Sequence, residues 1–84
     1  MPIEIIVSAI AATLTTAAFV PQALHIIRHK ETRAISLFMY ISFAAGVAFW
    51  LLFGFMIWNW PMIVANTITL ALALAIIAMK LKYG

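Results

Sequence analysis

Within the chain's apolar stretches four residues stand out for polar or shaping chemistry, beside scattered Ser and Thr: Pro21, Gln22, Trp50 and Asn66. Gln22 and Asn66 are amides, and each can donate hydrogen bonds and accept them at its oxygen. Trp50 offers a large flat ring over which apolar C–H surfaces can lie. A ring of this kind with an amide to satisfy hydroxyls is what a pocket for a neutral, polyhydroxylated ligand such as a sugar requires. Covalent chemistry has no foothold. No nucleophile stands at a reachable spacing from an oriented base, so an enzyme is not expected. The chain contains no cysteine, which removes thiolate chemistry and disulfides. His25 and His29 stand four residues apart, a spacing that can hold a metal, but no third ligand is at hand. Their neighbours Arg28 and Lys30 mark them as interfacial residues, and neither metal nor cofactor is expected.

The elements that must position these residues follow from composition. Of the 84 residues, 68% are hydrophobic and 8% charged, against about 45–50% and about 25% in soluble domains. Three apolar runs, each near the roughly 20 residues that cross a bilayer as a helix, are expected at about 3–27, 35–58 and 61–79. They form a single all-α unit over residues 1–84. The first has an acid, Glu4, ahead of it and is too long for the core of a secretory signal. The net charge of +3 does not point to nucleic acid, because no soluble basic face exists to carry it. Arg28, Lys30, Arg33, Lys80 and Lys82 are all the Lys and Arg present. They fall in the first link and at the C-terminus, which three crossings place on one side. The positive-inside rule makes that side cytoplasmic, with the N-terminus and the Asn59 turn outside. Asn59-Trp60-Pro61 reads as a tight turn, with Pro61 opening the third helix.

Pro21 lies deep in the first run. It has no N–H for the Ala17 carbonyl, so a kink or loosening is expected there. In the hairpin of the second and third runs, Trp50 and Asn66 lie sixteen residues apart in sequence. Both sit roughly 10–12 Å below the outer surface, at matching depth. Trp50 shares a helical face with Ser42, Gly46 and Gly54, and small neighbours leave room beside a large ring. Small residues are equally what helix–helix packing in membranes uses, and Asn66 could serve as interhelical glue. Thr67 and Thr69 are expected to bond their own helix backbone.

The Val20-Pro21-Gln22 motif, the basic first link, and the runs Trp50-Leu51-Leu52-Phe53-Gly54 and Ile63-Val64-Ala65-Asn66-Thr67 resemble the prokaryotic half-size sugar transporters of the PQ-loop group, the SemiSWEETs. The resemblance covers nearly the whole chain. It implies a parallel homodimer of three-helix bundles in the cell (inner) membrane, carrying mono- or disaccharides by facilitated diffusion and alternating access. By the same likeness, Trp50 and Asn66 of each copy hold the sugar, and Pro21 and Gln22 form a hinge. Phe19 and Met39 are then candidates for the inner gate and Phe53 for the outer one. The family pattern often has a tyrosine at the Phe53 position and charged residues near Ile57 and Asn59. This chain has neither, so its outer closure should be apolar.

The only acids, Glu4 and Glu31, lie at the membrane edges. No carboxylate is therefore placed to carry a proton through the bilayer, which argues for uniport over proton-coupled transport of a non-sugar solute. The competing reading is a small structural subunit packed against a larger membrane complex, in which Pro21, Trp50 and Asn66 would be packing details.

Overall fold

The computed structural model describes residues 2–84. It contains α1 (Ile3–His29), α2 (Leu37–Met56) and α3 (Trp60–Tyr83). All three are long and apolar enough to cross a membrane. Each helix begins and ends for a local reason. Glu4 sits in the first turn of α1, where a carboxylate suits the exposed N–H groups. At the other end of α1, Lys30 turns left-handed (φ 56°), and its N–H and that of Glu31 converge on the Ile26 carbonyl. This position usually takes glycine. Ser36 caps α2 by accepting from the Met39 N–H at 3.2 Å, and Asn59 caps α3 by accepting from the Met62 N–H at 3.2 Å.

Several boundaries differ from where the apolar runs alone would put them: α1 runs on to His29 rather than Ile27, and α2 opens at Leu37 rather than Ile35. The α2 helix stops at Met56 rather than Trp58 because Trp58 adopts a left-handed conformation (φ 54°). The Asn59 N–H then returns to the Gly54 carbonyl at 2.9 Å, closing the turn as a helix C-cap does. The reversal therefore occupies Ile57–Asn59, and Trp60 already belongs to α3 rather than to the turn. At the other end α3 continues through Lys80 and Lys82, whose charges favour the C-terminal dipole. Pro21 does not interrupt α1, which remains helical on both sides of it.

In space the order is α1–α3–α2. The α3 helix packs against both others, and the backbones of α1 and α2 do not approach each other closely. The bundle is a slab measuring 45 × 21 × 14 Å. Its length matches the roughly 40–45 Å of a bilayer with its headgroups. Its thickness is little more than one helix, so a single copy encloses no path.

The core sits toward the basic end: Ala23 of α1, Tyr40 and Ala44 of α2, and Ala73 and Ile76 of α3. In the other half two contacts tie the helices together. Gly54 lets α2 lie close on α3, where an added Cβ would come within 3.3 Å of Met62 Cγ. Ser8 of α1 hydrogen-bonds the buried Asn59 side chain, whose Nδ2 donates to the Ser8 hydroxyl at 3.0 Å. Core at one end and tethers at the other leave an open groove between them.

Candidate functional site

The groove runs along one face of the slab. Its outer part, about 170 Å³, is walled by Ser8, Ala11, Ala12 and Thr15 of α1, Trp50 of α2, and Met62 and Asn66 of α3. Its inner part, about 480 Å³, is bounded by Thr15, Ala18, Phe19 and Gln22, by Phe43 and Val47, and by Asn66 and Thr69. Thr15 and Asn66 border both parts, so the two adjoin. The inner volume falls within the roughly 300–1,000 Å³ typical of small-ligand sites. A larger hollow of about 590 Å³ lies between α1 and α3, lined by Ala17, Val20, Pro21, Trp60 and Val64 among others. Its walls are apolar apart from Thr16 and Thr13, and the Thr13 hydroxyl is already bonded to the Ala9 carbonyl at 2.7 Å. The polar groove is the better candidate.

Trp50 and Asn66 come together in the outer part, from different helices. Trp50 is 58% exposed, and its ring meets Phe53 edge-on at 6.0 Å. Asn66 donates through Nδ2 to the Met62 carbonyl at 2.8 Å. That bond holds the amide in place and leaves its oxygen as an acceptor. The Thr67 hydroxyl bonds the Ile63 carbonyl at 2.7 Å, as expected of an intrahelical threonine. Thr69 does not follow it: its side chain lines the groove. No Asp, Glu, Lys, Arg or His side chain enters either part, so the site suits a neutral ligand.

Pro21 and Gln22, adjacent in sequence, face different spaces. Gln22 borders the groove, and Pro21 borders the apolar hollow on α1 and α3. One residue along an α-helix is a turn of about 100°, enough to separate them. Phe19 stands at the inner part, and its ring lies 5.6 Å from that of Phe43 across the gap between α1 and α2. Met39 is half-exposed and does not border the groove. Phe43, one turn further along α2 and in edge contact with Tyr40 at 6.2 Å, stands opposite Phe19 instead. Sequence reasoning passed over it. The four-residue step from Met39 is the signal that places both on one face.

Toward the basic end, the His25 and His29 rings lie 4.3 Å apart, and Glu31 is 3.8 Å from His25. Among the described residues no three His, Cys, Asp or Glu side chains gather as a metal site.

The profile of the PQ loop repeat family matches residues 3–60. The sugar transporter SemiSWEET of Bradyrhizobium diazoefficiens is 40% identical over 74 residues, which cover 88% of this chain and 86% of that protein. The sugar transporter SemiSWEET of Leptospira biflexa is 41% identical over 81 residues, covering 96% and 95%. The chain belongs to the SemiSWEET family. Its fold agrees: a crystal structure of SemiSWEET in the inward-open conformation superposes with a TM-score of 0.87 at 36% identity, covering 95% of this chain and 93% of that one. Membership in the SemiSWEET family makes this a multi-pass membrane protein.

Proposed function

We propose that two copies of this chain form a parallel homodimer that carries mono- or disaccharides down their gradient. In this reading the groove of each copy faces the other, and the sugar is held between paired Trp50 rings and Asn66 amides. The observation that carries it is the meeting of Trp50 and Asn66 in a polar groove open along one face of a slab too thin to enclose it. An open half-chamber with exposed aromatic walls fits a partner of the same shape. Gly46, on the Trp50 side of α2, has nothing within 4 Å of an added Cβ, which leaves room for a second backbone.

The orientation places the Arg28–Arg33 link and the Lys80–Lys82 end in the cytoplasm. Alternating access then needs one mouth to close as the other opens. Pro21, with Gln22 beside it, is the hinge of the inner half of α1, because the Ala17 carbonyl has no N–H to hold that turn. The Phe19–Phe43 ring pair is the inner closure, with Met39 a turn beyond. Phe53, in contact with Trp50, is an apolar outer closure.

Transport is uniport, since both acids lie outside the apolar part of the spans. The test is uptake of labelled glucose and sucrose into proteoliposomes holding this chain alone. Uptake should proceed without a pH gradient. Strict dependence on that gradient would reject uniport, and no uptake of either sugar would reject the transport reading.

A further inference from the structure

The polar groups along the groove are not equally occupied. The Ser8 hydroxyl pairs with Asn59, the Thr15 hydroxyl reaches the Ala12 carbonyl at 3.3 Å, and the Asn66 amide is anchored to Met62. Among the described residues, no side-chain hydrogen bond uses Gln22 or Thr69. These two face each other's helix in the inner part of the groove, beside the Phe19–Phe43 rings. Gln22 follows Thr15 by seven residues on one stripe of α1, about 10 Å further in, and Thr69 follows Asn66 by three, about 4.5 Å further in. The space they border is more than twice the size of that beside Trp50, about 480 against about 170 Å³. Uncommitted donors and acceptors in an apolar setting favour a ligand that both donates and accepts. With no charged side chain lining the space, that ligand is neutral, and two rings flank it.

We propose that Gln22 and Thr69 form an inner subsite that takes the second ring of a disaccharide whose first ring lies between Trp50 and Asn66. The inference rests on the sugar-transport reading and narrows its substrate class: disaccharides use the full length of the groove, and monosaccharides use its outer part. Gln22 then contacts substrate as well as adjoining the hinge.

The test compares initial uptake of labelled sucrose and labelled glucose in proteoliposomes containing the wild-type chain, Thr69→Val, Thr69→Ser or Gln22→Leu. Losing one hydrogen bond to substrate lowers the sucrose-to-glucose rate ratio about tenfold in Thr69→Val and in Gln22→Leu. Thr69→Ser, which keeps the hydroxyl, should hold the wild-type ratio. A purely structural or hinge role would lower both rates together and leave the ratio unchanged, which would overturn the inference. So would a wild-type chain that carries glucose but no sucrose, with the transport reading intact. If neither sugar enters, that reading falls and the inference with it. Should Thr69→Val fail to assemble in detergent, the Gln22→Leu ratio decides.

Discussion

At the scale of single residues, the proposed site depends on one ring and one amide contributed by different helices. Trp50 is widely exposed in the isolated protomer, so truncating it should leave the bundle's own packing nearly intact. Trp50→Ala is expected to lower sugar uptake at least tenfold while the protein still reaches the membrane and runs at its normal size in detergent. A chain acting only as a packing subunit would lose assembly first. Asn66→Leu removes both the acceptor and the bond to Met62. It should reduce uptake by about tenfold, the effect of one lost hydrogen bond to the substrate. Not every polar residue nearby is used in the same way. Thr67 turns its hydroxyl back onto its own helix, whereas Thr69, two residues on, opens into the groove.

At the scale of helices, two devices set the geometry. Asn59 both caps α3 and ties the outer end of α1 through Ser8. Asn59→Ala should therefore cost about 1–2 kcal/mol of stability, read as a lower Tm in detergent. Pro21 works in the opposite direction. Pro21→Ala supplies an N–H for the Ala17 carbonyl and removes the ring that crowds it. The variant should unfold at a higher temperature yet carry sugar more slowly, because α1 has lost its compliant turn. Equal or faster uptake in Pro21→Ala would refute the hinge.

At the scale of the whole molecule, the slab has its core at the basic end and its groove between that core and the Ser8–Asn59 tether. Its long faces carry many exposed apolar side chains, among them Phe38, Phe49, Met56 and Trp58. Lipid and a second copy can each cover such surface. The two glycines of α2 distinguish contacts within the protomer from contacts between copies. Gly54 is closely packed on α3 and Gly46 is open. Gly54→Leu should destabilise the protomer by about 1–3 kcal/mol through overpacking against Met62 and Ile63. Gly46→Leu should leave protomer stability unchanged but weaken self-association, measured by native mass or cross-linking in detergent. Undiminished association in Gly46→Leu would remove that face from the dimer interface.

The sequence alone was enough to establish three apolar helices, because hydropathy over about 20 residues is a local property and a bilayer demands it. It also marked Trp50 and Asn66 as candidates, since a large ring and an amide stand at matching depth in an apolar hairpin, though packing alone could use both. What it left open were the facts that depend on which helix lies beside which. A heptad stripe defines a face but not its neighbour, so only the packed bundle placed α3 between the others and set Phe43 opposite Phe19. The same packing turned Gln22 toward the groove and Pro21 away from it. The left-handed turn at Trp58 was equally hidden, because a bulky aromatic gives no local sign of a conformation that glycine normally takes. It holds there because the surrounding bonds, from Asn59 to Gly54 and from Met62 to Asn59, fix it from both sides.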